Sequence, residues 1–526
     1  MNIYFLGMVI SFVIYIMIGY FISRKIKDAN DFYVAGRNAP LLLIIGSMIA
    51  SYVSTGMFMG DAGEYYKGIF SPMTILATMQ VAGYILGAVF FGRYLRRAKV
   101  FTIPEYFGIR FCSEKLRVLS TITAIITMTV YLLSVVQGVG TLMHVVTGLN
   151  YKLCVLLAII VFSIVTISSG SKGVLITDTL MFSIFTIALI AAVFVITKKC
   201  GGWYSAVRQL KSFDIKDLLS WHGNLDYMYS KGQDNVIWGI VYGIVWLSVC
   251  MVGPWQSSRY LMAKNEHTVI RSSVFSAFGI FLLQLLVGIA AVTVNLCCPE
   301  LEDQSHVLIW ASMNILPTFL GVLLLTGVLA AGISSATTFL SLIGASFGND
   351  IYKKKEKSVV VSRISMGVVS FVVLLLAVFN PPQIFWIMYF GGAIVASSWM
   401  PVALASILSK RITKAGAFVG MLTGFCSCFL LKLYSNICNI TLPVIFDPVI
   451  VGIISNIIGI FIGSVFTKVT PDELQATQKL FIVPEEDKKI TDISRTLKYM
   501  KFAPGLGILI FLILFFVWVI PYNFIK

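Results

Sequence analysis

Charge is scarce in this chain. Asp, Glu, Lys and Arg make up only 12% of its 526 residues, against a hydrophobic fraction of 58%, and a water-soluble surface cannot be assembled from that mixture. The four histidines are scattered, which excludes a metal cluster built on them. Nine cysteines, Cys250 inside an apolar run and Cys297-Cys298 between runs among them, follow neither zinc spacing nor a secreted disulfide framework. No nucleotide-binding module is recognisable, and no pair of base and nucleophile or metal triad emerges, so the chain does not read as an enzyme. Lysine and arginine are missing from the centres of the apolar runs, which leaves no evident salt bridge to a solute carboxylate from within a span.

What the chain has in abundance is long apolar runs. They fall at Tyr4 to Ile22, then near 40–60, 70–92, 118–146, 152–168, 173–197 and 235–254. Seven more follow at 272–296, 307–347, 362–379, 384–408, 415–433, 446–467 and 502–522. These are fourteen expected helices of an all-α polytopic membrane protein. The run 307–347 is long enough for one tilted helix plus a short interfacial one. The N-terminal run is too long, its flank too poor in positive charge and its end too lacking in a small-residue cleavage site for a signal peptide, so it is expected to be a mature helix.

The formal charge of +16 raises the question of nucleic acid, and its distribution answers it. With an external N-terminus, the turns expected on the cytoplasmic side carry five basic clusters: Arg24, Lys25 and Lys27; Arg93, Arg96, Arg97 and Lys99; Arg259, Lys264 and Arg271; Lys353, Lys354 and Lys355; and Lys410, Arg411 and Lys414. That is the positive-inside pattern of a multi-pass protein of a cell inner membrane or plasma membrane. The partners expected are membrane lipids and a small organic solute, with no nucleic acid. The segment 198–234 falls outside in spite of its lysines, which a long loop tolerates. Residues 469–499 read as a cytoplasmic linker and 500–526 as an additional C-terminal transmembrane helix.

Polar chemistry concentrates in a few spans. Ser334, Ser335, Thr337 and Thr338 put four hydroxyls within five residues of an apolar helix, and helical spacing groups Ser334 with Thr337 and Thr338 while Ser335 faces a neighbouring direction. Hydroxyls buried in lipid need partners; a cation held by hydroxyls and free carbonyls is one solution, and bonds back to the preceding turn are another. The second span, Ile45 to Gly60, carries polar residues and three glycines through its centre, as a broken midplane helix does. Ala50 and Val53 are therefore candidate main-chain ion ligands, and Ser54, Thr55 and Gly56 candidate solute contacts. Asp178, just inside the sixth run, is expected to meet a cation or to cap a helix. Gln80, Gln137, Tyr242 and Trp246 offer directional bonds and an aromatic wall for a solute.

In several motifs the chain resembles the sodium/solute symporter family, whose members include carriers for proline, pantothenate, sialic acid, sugars and iodide. The motifs are Asp31-Phe32-Tyr33-Val34-Ala35-Gly36-Arg37-Asn38, Ser54-Thr55-Gly56-Met57-Phe58-Met59-Gly60, Thr177-Asp178, Gln256-Ser257-Ser258-Arg259, Ala330-Ala331-Gly332-Ile333-Ser334-Ser335 and Asn349-Asp350-Ile351-Tyr352. The resemblance covers residues 1–468 and implies a leucine-transporter-type inverted repeat of five plus five helices, 40–197 and 235–408, with additional N- and C-terminal helices. It implies discontinuous first helices near 40–60 and 235–254. It also implies a main sodium ion among Ala50, Val53, Ala331, Ser334 and Ser335, and a second among Asp178, Ser334, Thr337 and Thr338. The span 118–146 lacks the guanidinium of the sialic-acid carriers, which lowers that solute. The expected activity is sodium-coupled import of a small polar solute, a carboxylate or amino acid favoured, by a protein functional as a monomer. A cation channel or a transporter-like sensor is the alternative. The residues alone do not choose between sodium and proton coupling.

Overall fold

The computed structural model describes residues 3–524 except 25, 27, 213–217, 228 and 353–356, and leaves out the side chains of 23, 168 and 169. Lys25, Lys27, Lys353, Lys354 and Lys355 of the basic clusters thus lie outside the described residues. Among those described, twelve helices are long and apolar enough to cross a membrane, a bent pair makes a thirteenth, and Tyr151–Ile167 is a shorter apolar helix. Each of the fourteen apolar runs is therefore helical, as backbone groups in lipid require.

Local chemistry sets several of the boundaries. Ser113, Asn265 and Asp447 each accept a backbone N–H from the first turn of the helix that follows. Gly170, at φ 53° and ψ −160°, separates Tyr151–Ile167 from Gly170–Lys199. The run 307–347 divides into Val307–Asn314 and a helix from Thr318 to Tyr352. A mix of buried and exposed faces sorts the helices into centre and rim. Within their most apolar windows, Glu266–Val294, Thr318–Tyr352 and Ile384–Leu408 are 78% buried, whereas Ile490–Asn523 is 6% buried and presents its side chains outward.

Two helices are interrupted. Leu41–Tyr52 and Gly56–Tyr66 meet at 51°, and Gly232–Val252 gives way at Gly253 to Pro254–Met262. The second broken helix is longer than its apolar run at 235–254. Its cytoplasmic arm carries the polar stretch Gln256-Ser257-Ser258-Arg259, all buried. Ahead of the first broken helix and after the second, Ala39 and Ala263 form a short parallel backbone bridge: Ala39 N–H donates to Met262 O at 3.0 Å and Lys264 N–H to Ala39 O at 3.1 Å. Phe70–Ala98 presses on Gly232–Val252 so closely that a Cβ on Gly83 would stand 2.4 Å from Leu247 O.

Two boundaries differ from the sequence reading. The last helix begins at Ile490, ahead of the expected 500, and one face of its first turns rests on the bundle, Asp492 on Arg271, Thr496 on His267 and Tyr499 on Phe275. Residues 469–499, expected as a cytoplasmic linker, carry helical turns that pack on the bundle as a collar. A Thr470/Glu473 capping box starts the helix Pro471–Phe481, and Arg97 reaches both Glu266 and the carbonyl of Leu480. His267 bonds to Asp487 O and Thr496, and Arg271 to Asp492 at 2.9 Å.

Candidate solute and ion site

The break after Tyr52 leaves backbone carbonyls without their helical donors. Among the described residues outside helices, no backbone N–H donates to the carbonyls of Ala50 or Val53. The Thr318–Tyr352 helix faces this break, with Ala331, Ser334 and Ser335 all fully buried. Ser335 Oγ donates to Val53 O at 3.4 Å, and Ser334 Oγ donates to Asp178 Oδ1 at 2.7 Å. A hydroxyl that gives its proton away keeps its oxygen lone pairs for a cation. The first expected ion set therefore meets on two facing elements with oxygen chemistry suited to a hard ion.

The second expected set is organised by a residue that was placed in a loop by its sequence position. Arg259 is 1% exposed, inside the second broken helix. Its Nη2 lies 2.8 Å from Asp178 Oδ2 and donates to Thr338 Oγ1 at 2.7 Å, while Nε donates to Ser47 Oγ at 2.9 Å. Ser47 Oγ in turn donates to Asp178 Oδ2 at 2.6 Å. Thr337 Oγ1 turns back to Ser334 O at 3.0 Å. Asp178, Ser334 and Thr338 thus come together around a guanidinium. A cationic side chain thus lies buried near the end of a span, outside the span centres that the sequence reading found free of Lys and Arg, and the carboxylate beside it offsets the cost of its burial.

The expected solute residues separate into two groups. Gln80, Tyr242 and Trp246 gather about Tyr52: its hydroxyl donates to Gln80 Oε1, and its ring lies 5.1 Å from that of Trp246. Tyr242 stands 6.3 Å from Trp246, and Ser54 Oγ is bonded to the Tyr131 hydroxyl at 3.3 Å. Gly56 lets the break approach Met388, whose Sδ would be 2.2 Å from an added Cβ. Thr55 instead bonds Val135 O at 3.3 Å and fills space left by Gly138 and Gly332. Gln137 is taken up entirely by the turn at 380–383: its amide donates to Asn380 O and Pro381 O and accepts from Gln383 N–H. It is apart from the aromatic cluster.

Sequence reasoning missed Tyr52, Tyr131, Asp61 and Gln284. Asp61 is 2% exposed, one residue beyond the point where the apolar run stops, yet the helix continues to Tyr66. That continuation, in Ala62-Gly63-Glu64-Tyr65-Tyr66, was the available signal.

Opposite ends of the bundle are closed differently. On the end bearing the basic clusters, Arg96 donates to Ala263 O and Lys264 O, and Arg117 pairs with Asp350 at 2.9 Å. At the other end Glu64 meets Lys67 at 3.0 Å and the Tyr227 hydroxyl at 3.1 Å.

The sodium:solute symporter family model matches residues 32–424. The chain belongs to that family. It is 23% identical to the sodium/proline symporter of Salmonella typhimurium over 456 residues, covering 81% of this chain and 88% of the relative. It is 23% identical to the sodium/pantothenate symporter of Haemophilus influenzae over 450 residues, 81% of this chain and 90% of that one. A Staphylococcus aureus sodium/proline symporter is 26% identical over 446 residues, with 79% and 83% covered. Among solved structures, an Na+-coupled sialic acid symporter aligns with a TM-score of 0.75 at 17% identity, over 89% of this chain and 98% of the other. A nucleobase-cation-symport-1 family transporter aligns at 0.56 and 11%, over 85% and 98%. The fold is thus the leucine-transporter type, and the family member is a multi-pass membrane transporter that couples solute to sodium, not an enzyme.

Proposed function

We propose that this symporter imports a small polar organic solute with sodium by alternating access, the ion sitting between the first broken helix and the Thr318–Tyr352 helix. The observation that carries the reading is the meeting, at 3.4 Å, of Ser335 Oγ with the Val53 carbonyl, which receives no backbone N–H among the described residues outside helices. Ala50 and Ala331 supply further carbonyls, and Ser334 and Ser335 supply hydroxyls. Sodium here bridges two elements that must move apart for the cytoplasmic side to open, so its binding favours one conformation, as coupling requires. Entry is driven by the sodium gradient and by the membrane potential, about 2.3 kcal/mol per charge for each 100 mV.

Asp178 is read as the partner of Arg259 rather than as the ligand of a second sodium. The two residues tie Gly170–Lys199 to Pro254–Met262, and the same carboxylate orients Ser334. The solute lies in the cluster of Tyr52, Gln80, Tyr131, Tyr242 and Trp246. Ser54 joins it through Tyr131.

Uptake into proteoliposomes from a mixed pool of labelled amino acids, carboxylates, vitamins and sugars tests the reading. A saturable solute is expected to accumulate only with an inward sodium gradient. In Ser335→Ala the sodium concentration for half-maximal uptake is expected to rise about tenfold or more, the loss of one ligand being worth at least ~1.4 kcal/mol. Accumulation driven equally by a proton gradient without sodium, or unchanged sodium activation in Ser334→Ala and Ser335→Ala, overturns the ion site.

A further inference from the structure

Asp61 stands out among the carboxylates buried in the membrane-spanning part. Asp178 meets Arg259, Asp350 meets Arg117 and Glu64 meets Lys67. Asp61 has no cationic partner among the described residues; its Oδ1 accepts from the Tyr242 hydroxyl at 2.8 Å and its Oδ2 from Gln284 Nε2 at 3.0 Å. Two neutral donors hold the carboxylate in place without balancing its charge. An intramembrane carboxylate in that condition awaits a cation.

Its surroundings narrow the kind of cation. Trp238 stacks on Tyr242 at 5.2 Å, Phe385 lies 5.3 Å from Tyr242, and Tyr65 follows one helical turn after Asp61. A carboxylate held by the hydroxyl of a tyrosine that itself packs among rings suits an ammonium, which gains from aromatic neighbours as well as from the charge, whereas a bare metal ion seeks a shell of oxygens. Gln284 Oε1 is buried without a hydrogen-bond partner, a spare acceptor on the residue that already contacts Asp61. Deeper in the same cluster, Gln80 Nε2 and Trp246 Nε1 are buried donors without partners. The buried cluster is therefore polarised, with a spare acceptor beside Asp61 and spare donors beside Tyr52.

We propose that Asp61 recognises a cationic nitrogen on the transported solute, with Tyr242 and Gln284 as its positioning residues, so that this transporter selects amine- or ammonium-bearing solutes. The inference rests on the symport reading and adds the solute's charge to it. The acceptor-to-donor polarity orients the solute with its nitrogen toward Asp61 and any anionic or carbonyl group toward Gln80 and Trp246.

Matched pairs of probes test this with the full-length protein in proteoliposomes. One pair is pyrrolidine-2-carboxylate against tetrahydrofuran-2-carboxylate; another is a trimethylammonium alcohol against its all-carbon isostere. Sodium-driven accumulation is expected for the nitrogen cation in at least one pair, with a preference of about 100-fold or more, since a buried charge left without its partner is costly. Asp61→Asn is expected to abolish that preference while the sodium-induced rise in melting temperature stays unchanged, and Asp61→Glu to retain it in part. Equal transport of the neutral isosteres by the unaltered protein, or undiminished ammonium affinity in Asp61→Asn, overturns the assignment to Asp61 and leaves symport standing. Absence of sodium-driven accumulation of every probe, together with absence of any sodium-induced thermal shift, overturns the symport reading itself.

Discussion

Replacing Asp178 by asparagine keeps its shape and removes its charge. Arg259 then keeps only neutral oxygens, those of Ser47, Trp255, Ser258 and Thr338, at a position 1% exposed. Breaking a buried pair by removing one partner costs about 3–5 kcal/mol, whereas removing both charges leaves nothing stranded. At about 1.4 kcal/mol per decade the single change is worth two to four decades in the folding equilibrium. Asp178→Asn, Arg259→Met and the double variant should be compared by denaturant unfolding in mixed micelles. Each single variant is expected to lose about 3–5 kcal/mol, and the double to lose less than the sum by about 2 kcal/mol or more. Losses below about 1 kcal/mol for the singles, or strict additivity, would refute the reasoning that these charges exist for each other. Sodium titration of Arg259→Met adds a second reading. Tighter sodium binding in that variant would return Asp178 to the role of ion ligand.

Close helix contact gives a steric prediction. Gly83→Ala directs a Cβ at the backbone of Leu247, which cannot rotate away, and should destabilise by roughly 1–3 kcal/mol or more, while Gly367→Ala meets nothing within 4 Å and should gain up to about 1 kcal/mol; equal melting temperatures for the two variants would contradict this. The collar gives a pH prediction. Burial and then Glu266 push the Asp487 carboxyl up, against the downward pull of His267 and Arg96, and its Oδ1 has no hydrogen-bond partner. A raised carboxyl favours the protonated folded form, so its contribution to docking is complete below the unfolded value of about 3.9 and is lost as pH rises through the folded value. Asp487→Asn should therefore protect 471–487 from proteolysis at neutral pH, and faster cleavage of the variant would count against the account.

The spans were legible because lipid allows few solutions: long apolar runs become helices, and their basic turns gather at one end. The buried hydroxyls of the proposed ion site were noticeable by density, four within five residues, and the helix break beside Ala50 and Val53 by its glycines. Other features depend on distance in space. Arg259 lies in a short polar stretch that reads as a loop until Asp178 is seen beside it, and the pair then makes burial affordable to both. Gln137 had the same apparent polarity as Gln80, but the turn at 380–383 satisfies it, which no pattern within 118–146 reveals. Asp61 was lost to a boundary, because hydropathy averages a run and stops where charge begins. The polar composition of 469–499 likewise describes its outer surface and not the helix ends it covers.

The bridge between Ala39 and Ala263 is made of main chain alone. Its two hydrogen bonds are indifferent to side-chain identity, and only a change such as proline at 39 or 264 deletes a donor. The proposed solute contacts, by contrast, are side chains such as Asp61, Gln80 and Tyr242. Substitutions at those side chains can therefore alter the proposed solute contacts one residue at a time while the clasp between the two broken helices keeps both of its hydrogen bonds.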